Sequence, residues 1–176
     1  MNQFDKNILK RAKHHDLAAF ETILFSYEKR IFNYLRRLVS QRETAEDLTQ
    51  ETFIKLYKHI GSLNDVEKFR SWLYAIATNV AYDWLRQSKK LPELLLVDDP
   101  AANFETIDPD SQYYRIGTSQ DLGRALEQVK PQYKAVLLLY YQQGFSYQEI
   151  AESMQIPINT VKTYLHRGKQ EVRRYL

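Results

Sequence analysis

The most informative segment of the chain is residues 145–169, which read FSYQEIAESMQIPINTVKTYLHRGK. Ser146 is followed three residues later by Glu149. This is the spacing of a capping box, in which two residues satisfy each other's backbone N–H groups at the start of a helix. Residues 155–157 then predict a turn, and a second helical pattern follows. Two short helices joined in this way predict a helix-turn-helix.

The second of these helices has an apolar side and a basic side. We expect Val161, Leu165 and Val172 to face inward, together with Gly168. The outward residues are Thr160, Lys162, Thr163, His166, Arg167, Lys169 and Arg173. In a helix-turn-helix this face enters the major groove, where Lys or Arg contacts guanine or phosphate. A basic face alone is usually a solvated surface, but the capped helix and the turn before it favour duplex DNA binding.

The residues upstream of this motif predict two further helices. The spacing of Leu122, Ala125, Leu126 and Val129 suggests that the first is a short helix. Pro131 is suited to the first position of the next helix and Gly144 to its end, because Pro lacks a backbone N–H and Gly tolerates a left-handed conformation. We therefore predict a small helical domain at residues 119–176.

Residues 1–90 predict an all-α bundle. One apolar face recurs at steps of three and four through Leu17, Phe20, Leu24, Tyr27, Ile31, Tyr34 and Leu38. A second helix is expected from about Thr44 to Ile60, with Thr44 and Asp47 as a capping-box-like start and Gly61 as its stop. A third helix follows a short loop and would bury Phe69, Trp72, Leu73, Ile76, Ala77, Val80, Trp84 and Leu85.

The segment at residues 91–118 differs in composition from both flanking regions. It contains three of the five prolines of the chain. It also contains one basic residue, Arg115, and six acidic residues: Glu93, Asp98, Asp99, Glu105, Asp108 and Asp110. We predict a flexible acidic linker that is extended until it meets a partner surface. An ordinary flexible tether would explain the same composition.

Two helices of the first domain present polar faces with candidate functions. On the third helix, the face opposite the apolar stripe carries Arg70, Tyr74, Thr78, Asn79, Tyr82, Asp83, Arg86, Lys89 and Lys90. Aromatic, amide and basic side chains together suit opened DNA, although a helix face of this kind is more often merely amphipathic. The second helix carries Glu46, Asp47, Gln50 and Glu51 near Phe53 and Ile54. Acids near a helix start are favoured by the helix dipole, but with apolar neighbours they also suit protein docking.

Composition argues against an enzyme. The chain of 176 residues has no cysteine, so disulfides and thiolate metal sites are excluded. Its four histidines and dispersed carboxylates show no metal-ligand spacing, and there is no nucleophile motif and no glycine-rich phosphate loop. We expect no catalytic residue, cofactor, metal or small-molecule substrate. The charged start of the chain lacks an apolar signal core, so we expect a cytoplasmic protein.

Three segments of the chain resemble the sigma-70 family of bacterial RNA polymerase sigma factors. Residues 45–53 resemble the segment of that family that binds core polymerase. Residues 69–79, followed by Asp83 and Arg86, resemble its promoter −10 segment. Residues 145–169 resemble its −35-binding helix-turn-helix. The order of the motifs, the short chain and the lack of a middle domain resemble the extracytoplasmic-function (ECF) group.

The resemblance implies a role for each motif. Asp47, Gln50, Glu51 and Ile54 would face the β′ clamp helices of core polymerase. The opened −10 element would contact Lys68, Asn79, Tyr82, Asp83 and Arg86, and the loop at residues 61–68 would hold an extruded base. The −35 element would face Thr160, Lys162, Thr163, His166, Arg167 and Lys169. Many relatives carry Arg at the position of Lys162. The ammonium group of Lys is a point charge, so it contacts guanine in a less bidentate manner than the guanidinium group of Arg does.

The resemblance also implies partners. These are core RNA polymerase, through its β′ clamp helices and β flap, promoter DNA, and an anti-sigma factor that could hold the protein at the membrane. The linker would thread the basic cleft of the polymerase, and the protein would initiate transcription in a stress response.

The main alternative is a conventional helix-turn-helix regulator that binds duplex DNA alone, with residues 1–90 as a sensor or dimerisation bundle. That alternative leaves residues 45–53 and the helix around Trp72 unexplained.

Overall fold

The computed structural model of the chain describes residues 3–88 and 119–176. Every regular element in these two ranges is helical, so the predicted all-α fold class is confirmed. The chain divides into two compact units, each of which is described by itself. The predicted linker at residues 91–118 lies outside the described residues, as do Lys89 and Lys90.

The first unit is a bundle in which one long helix contacts the other three. Its helices are α1 (Gln3–Lys13), α2 (Leu17–Val39), α3 (Arg42–His59) and α4 (Phe69–Gln87). Two short 3₁₀ turns, Ile60–Ser62 and Val66–Lys68, connect α3 to α4. Helix α2 packs against α1, α3 and α4, and its Ile31, Tyr34 and Leu35 are fully buried. The core of the unit therefore surrounds the second half of α2.

No helix is predicted for residues 3–13, yet the chain forms α1 there. The helix buries Ile8, Leu9 and Ala12, which lie on one helical face. Charged residues occupy many of the other positions of α1, and they conceal this short apolar patch in the sequence. The helix is stabilised by what it packs against rather than by a long apolar stripe.

The predicted stripe of α2 is buried in its second half only. Ile31 and Leu38 are buried as predicted, whereas Leu17 at the helix start is 63% exposed. Ala19 and Ile23 take the buried positions in the first turns instead. In the first turns of α2, the buried residues thus lie one position before Phe20 and Leu24, which the spacing predicts.

Helix α3 begins two residues earlier than predicted. Gln41 occupies the N-cap position, and Thr44 lies inside the first turn. The Thr44 hydroxyl donates to the side-chain oxygen of Gln41 at 3.1 Å, so it does not satisfy a backbone N–H of the helix. The predicted capping box of Thr44 and Asp47 is therefore wrong. Ala45 is fully buried, and its packing favours a helix that is already formed at this position.

The described part of the second unit, residues 119–176, contains four α-helices, two of which form the predicted helix-turn-helix. The helices are α5 (Ser119–Gln128), α6 (Pro131–Leu137), α7 (Tyr147–Met154) and α8 (Ile158–Tyr175). Pro131 lies in the first turn of α6, as predicted. Helix α6 continues into a π-helical turn, Leu138–Gln142, which the sequence does not predict. Gly144 has a φ of 67° and follows this turn, so its predicted role as a helix stop is confirmed.

The predicted capping box at the start of α7 is formed. The Ser146 N–H donates to Glu149 Oε2 at 2.8 Å, and the Glu149 N–H donates to Ser146 Oγ at 3.2 Å. Both side chains therefore satisfy a backbone donor that the helix itself leaves free. The first helix of the helix-turn-helix begins where the sequence predicts.

Helix α8 approaches α6 closely at Gly168. A Cβ atom at this position would lie 2.9 Å from Leu137 Cδ1 and 3.2 Å from Tyr133 Cβ. Real Cβ atoms essentially never come as close as the first of these distances to another heavy atom. The two helices can therefore pack at this distance because position 168 has no side chain.

Three junctions next to helices use a non-glycine residue in the left-handed conformation. His15 precedes α2, Ser40 follows α2 and Gln155 follows α7, and their φ angles are 60°, 62° and 54°. This conformation brings Cβ close to a carbonyl oxygen and costs about 1–2 kcal/mol at each such residue. At Ser40 the backbone N–H donates to the Arg36 carbonyl at 2.9 Å, which closes the end of α2.

Candidate functional site

Helix α8 presents a basic face. Lys162 and His166 are exposed, and Thr160, Arg167 and Lys169 are partly exposed. The residues predicted to face inward are all buried, namely Val161, Leu165, Gly168 and Val172. The amphipathic pattern therefore orients α8 as predicted, with cations along one side of the helix.

Two cations of this face contact aromatic side chains of neighbouring elements. Arg167 donates from Nη1 to the hydroxyl of Tyr133 on α6 at 3.4 Å. The Lys169 ammonium lies 5.8 Å from the ring centroid of Tyr141, which belongs to the π-helical turn. Such contacts restrict the rotamers of long side chains and reduce the entropy lost when they bind a ligand. They place part of the basic face in a defined orientation.

The prediction that Thr163 faces outward is wrong. The residue is 7% exposed, and its hydroxyl donates to the Asn159 carbonyl one turn earlier at 2.9 Å. A Thr in a helix commonly turns its hydroxyl back to such a carbonyl, and that bond competes with contacts to a ligand. Thr163 is therefore not part of the exposed basic face.

The acidic residue near the end of α8 is engaged elsewhere. Between residues 159 and 176 the chain has five basic residues and one acidic residue, Glu171. Glu171 Oε2 accepts the backbone N–H of Lys130 at 2.9 Å, just before the start of α6. The carboxylate is therefore directed to the α5–α6 junction, and the basic face keeps its positive character.

The polar face of α4 is narrower than predicted, because Tyr74 and Thr78 are buried. They are 1% and 2% exposed. The Thr78 and Tyr34 hydroxyl oxygens lie 2.7 Å apart, and Thr78 also donates to the Tyr74 carbonyl at 2.7 Å. The rings of Tyr34 and Tyr74 meet edge to face with centroids 5.3 Å apart. The hydrogen bond between the hydroxyls of Tyr34 and Thr78 permits their burial. Because Tyr74 and Thr78 are buried, neither is part of a DNA-facing surface.

Burial also changes the ionisation of these two tyrosines. Removal from water raises the pKa of Tyr74 to about 12. It raises the pKa of Tyr34 further above its ordinary value, despite the opposing effect of the hydrogen bond to Thr78. Both rings therefore stay neutral at physiological pH.

The other predicted residues of the −10 group remain accessible. Asn79, Lys68 and Arg86 are exposed, and Tyr82 and Asp83 are partly exposed. Asp83 and Arg86 form an ion pair across one turn of α4. Trp72, Ile76 and Trp84 were expected in the core, but each is partly exposed at the edge of the helix. The predicted buried stripe of α4 is correct at its other positions.

Asn79 lines a cleft of about 380 Å³ in the first unit. Its walls come from the end of α3, the loop after it and the first half of α4. The lining residues are Lys55, His59, Ser62, Trp72, Ile76 and Asn79. The cleft thus combines an indole face, an amide, an imidazole and an ammonium group. Sequence reasoning identified Asn79 and this loop, but it missed Lys55, His59 and the exposure of Trp72.

Helix α3 places the predicted polymerase-facing residues on one side. Asp47, Gln50, Glu51 and Ile54 are all exposed, and their spacing of three, four and seven residues aligns them along the helix. Glu51 forms an ion pair with Lys55 at 2.9 Å. Ile54 is 54% exposed, which leaves an apolar side chain beside the acids. Phe53 is buried in the core, so the prediction that it contributes to this patch is wrong.

Among residues 3–88 and 119–176 there is no group of three or more His, Cys, Asp or Glu side chains that could hold a metal ion. None of the helices in these two ranges has both the length and the apolar composition that a membrane span requires.

Two family models match the chain, one in each unit. Sigma-70 region 2 matches residues 24–91, and Sigma-70 region 4 matches residues 119–172. The first match contains the α3 face and the cleft, and the second contains the helix-turn-helix.

Individual proteins are similar over nearly the whole chain. The ECF RNA polymerase sigma factor SigW of Bacillus subtilis (strain 168) is 34% identical, and the match covers 100% of this chain and 98% of that protein. The RNA polymerase sigma factor YlaC of the same strain is also 34% identical, over 92% of this chain and 93% of that protein.

One solved structure supports the fold. The sigma factor RpoE of Bartonella quintana, crystallised with the anti-sigma factor NepR, aligns with a TM-score of 0.67 and 23% identity. The alignment covers 89% of this chain and 95% of that chain. With the two family models and the full-length similarity to SigW, these findings show that the chain belongs to the ECF group of the sigma-70 family of RNA polymerase sigma factors.

Proposed function

We propose that this chain binds core RNA polymerase, recognises the −35 and −10 elements of promoters and promotes transcription initiation. The observation that carries the proposal is the exposed face of α3, with Asp47, Gln50, Glu51 and Ile54 in one row. A regulator that binds duplex DNA alone has no need of this face. In the proposed division, residues 1–90 bind polymerase and the −10 element, residues 119–176 bind the −35 element, and residues 91–118 link the two domains.

The α3 face suits a protein partner. Acidic and amide side chains surround the exposed Ile54, so a partner would bury one apolar contact within a ring of polar ones. We assign this partner as the β′ clamp helices of the polymerase. The second domain would contact the β flap. Both assignments follow the family to which the chain belongs.

The basic face of α8 suits the major groove of the −35 element. Lys162, His166 and Arg167 would contact base edges or phosphates, with Thr160 and Lys169 at the sides. The contact between Arg167 and Tyr133 supports a specific role for Arg167, because it orients the guanidinium before DNA arrives. Thr163 is left out of this surface, because it is buried.

The cleft beside Asn79 suits a base that has left the DNA stack. A base needs an aromatic face and hydrogen-bonding groups to replace its lost contacts, and Trp72 and Asn79 provide these groups. Lys68, Tyr82, Asp83 and Arg86 would contact the opened strand around it. The protein would favour DNA opening by binding the melted state. No chemical step is assigned to any residue.

Each of these surfaces can bind weakly and still act together. Once one domain is bound, the linked domain is held near its own site at a high effective concentration. We therefore expect isolated domains to bind promoter DNA poorly. The protein would act in the cytoplasm, where promoter DNA and the polymerase are found, and an anti-sigma factor would restrain it.

Run-off transcription from a promoter library, with purified bacterial core polymerase, tests the proposal. Transcripts that need this protein are expected, and they should be lost with the double variant Gln50→Ala and Glu51→Ala. A matched control is Glu21→Ala with Glu28→Ala, which changes two exposed residues of α2 in the same unit. Transcription by this control should be unchanged. No stimulation on any promoter, together with tight binding of the protein alone to duplex DNA, would favour the conventional regulator.

The −35 contact has its own test. Arg167→Ala is expected to lose about 1–3 kcal/mol of binding free energy at the −35 element and to relax its sequence preference. Arg124→Ala on α5 is a suitable control, because Arg124 is exposed in the same unit and outside the helix-turn-helix. Normal initiation by the Arg167 variant on promoters with both wild-type and altered −35 elements would refute its assignment.

A further inference from the structure

The loop at residues 61–68 is shaped by short-range hydrogen bonds. The Leu63 N–H donates to the Ile60 carbonyl at 3.2 Å, and the Lys68 N–H donates to the Asp65 carbonyl at 3.1 Å. The Asp65 side chain also accepts the Glu67 N–H at 2.9 Å. These bonds join residues that are at most three positions apart. They define each turn of the loop, but they do not attach the loop to the rest of the bundle.

Helix α1 contacts this loop. It packs against both 3₁₀ turns as well as against α2. Lys6 on α1 forms an ion pair with Glu67 in the second turn. In the first turn, a Cβ on Gly61 would lie 3.5 Å from the carbonyl oxygen of Lys13, at the end of α1. The helix therefore contacts the loop near both of its ends.

The contact with α1 is one residue away from the cleft. Gly61 lies against the end of α1, and the next residue, Ser62, lines the cleft together with Asn79. The apolar side chains of Ile60 and Leu63 on either side are buried, so this part of the loop cannot move freely. The end of α1 therefore adjoins the wall of the cleft at Gly61 and Ser62, and the Lys6–Glu67 pair joins α1 to the same loop at its other end.

We propose that α1 is a positioning element for the loop, and that the Lys6–Glu67 pair helps to set the base preference of the cleft at the −10 element. This inference rests on the proposed function, because it assumes that the cleft receives a base. Lys6 and Glu67 are positioning residues in this proposal, and neither is assigned a DNA contact. The family model for region 2 begins at residue 24, so α1 lies outside the matched segment.

The ion pair can be changed without loss of the fold. Both side chains are partly exposed, and an exposed pair contributes little to global stability. Helix α1 remains packed through Ile8, Leu9 and Ala12, which are buried. A change at Lys6 or Glu67 should therefore alter the position of the loop more than the stability of the unit.

The test uses charge reversal in the full-length protein. Lys6→Glu and Glu67→Lys are compared with the double variant that carries both changes, in which the pair is restored with opposite polarity. Lys10→Glu is the matched control, because Lys10 is an exposed lysine on the same helix and forms no ion pair with another described residue. Run-off transcription with core polymerase is measured on promoters that carry each of the four bases at every −10 position.

Each single variant is expected to lower the ratio of transcription from preferred to mismatched −10 bases by about two- to fivefold, the range expected for an exposed ion pair. The double variant and Lys10→Glu should keep the wild-type ratio. Binding to core polymerase and discrimination at the −35 element should be unchanged in all four variants. Thermal unfolding followed by tryptophan fluorescence should also be unchanged. A general loss of structure would alter these readouts together.

Any one of four outcomes would overturn the inference. If the wild-type protein initiates transcription but the single variants keep its −10 ratios, α1 does not set the base preference, and the proposed function stands. If Lys10→Glu has the same effect, or if the double variant is not restored, the pair has no specific role. If the wild-type protein gives no transcript with core polymerase, the proposed function and this inference fail together.

Discussion

The two units use different kinds of packing contact to hold their candidate DNA-contacting helices in place. In the first unit, α4 is held by a buried hydrogen bond, because the hydroxyls of Tyr34 and Thr78 meet 2.7 Å apart inside the bundle. In the second unit, α8 is held where a side chain is missing, because Gly168 lies against Leu137 and Tyr133. One helix depends on a buried polar contact and the other on close approach of two backbones.

This difference predicts which substitutions each unit tolerates. Addition of volume should harm the second unit, and loss of a hydroxyl should harm the first. The two effects can be measured separately, because both tryptophans of the chain, Trp72 and Trp84, lie on α4. Tryptophan fluorescence therefore reports the first unit. Amide hydrogen exchange of α6 and α8 reports the second.

The largest effect is expected for Gly168→Val. The added carbons would overlap Leu137 and Tyr133, and we expect the second unit to lose about 2–3 kcal/mol of unfolding free energy. Amide exchange in α6 and α8 should accelerate accordingly, and the fluorescence transition should stay unchanged. The control is Gly123→Val on α5, where no atom lies within 4 Å of the position of a Cβ. Equal effects at both glycines would contradict the close-approach explanation.

The second effect is expected for Thr78→Val. The variant leaves the buried Tyr34 hydroxyl without its partner, which should cost about 2 kcal/mol in urea unfolding followed by tryptophan fluorescence. Addition of Tyr34→Phe removes the second hydroxyl and should recover most of this loss. The two single variants and the double variant form a cycle that isolates the interaction. Additive losses would mean that the two hydroxyls do not stabilise each other.

The third effect concerns alkaline pH. The pKa of Tyr74 is about 12 in the folded protein, against about 10 in an unfolded chain. Above pH 10 the unfolded state releases this proton while the folded state keeps it, so the contribution of Tyr74 to stability is fully present below pH 10 and is lost as the pH rises from 10 to 12. The expected loss from Tyr74 is on the order of 1 kcal/mol at pH 11.

Burial of Tyr34 acts in the same direction as burial of Tyr74. Urea unfolding at pH 8 and pH 11, followed by tryptophan fluorescence, measures the combined change. Tyr74→Phe should make the dependence on pH smaller, whatever its effect on stability at pH 8. An unchanged dependence in this variant would show that Tyr74 ionises normally in the folded protein.

The smallest effect is expected at the start of α7. Ser146→Ala removes one half of the capping box and should cost about 0.5–1 kcal/mol, seen as faster amide exchange in α7. Glu149→Gln should be nearly neutral, because Gln can still accept the Ser146 N–H. If the two substitutions have the same effect, the charge of Glu149 rather than the reciprocal cap stabilises this helix end.

Several helix boundaries of the second unit could be predicted from the sequence because their signals are local. Ser146 and Glu149 are three residues apart, and Pro131 and Gly144 each mark a helix boundary at their own position. The exposed row on α3 was also predictable, since a helix fixes which residues share a face. These features depend on neighbours within one or two turns, so a single sequence contains the information.

The errors occur where a distant residue decides the outcome. Thr78 is polar and was placed on the outer face of α4, but its partner Tyr34 is 44 residues away in the sequence. Phe53 was placed with the acids of α3, although the bundle buries it. Helix α1 was not predicted because its apolar patch is short, and the helix is stabilised by contacts with α2 and with the loop. No periodicity within one helix reveals such contacts.

The left-handed residues at three helix junctions have a consequence for engineering. His15, Ser40 and Gln155 each hold a conformation that glycine adopts without steric cost. The strain at these three positions is therefore a cost that the folded protein carries at its helix junctions. Glycine at Ser40 or Gln155 would relieve this cost, whereas glycine at position 15 would also remove the edge-to-face contact between the rings of His15 and Tyr57, whose centroids lie 5.6 Å apart.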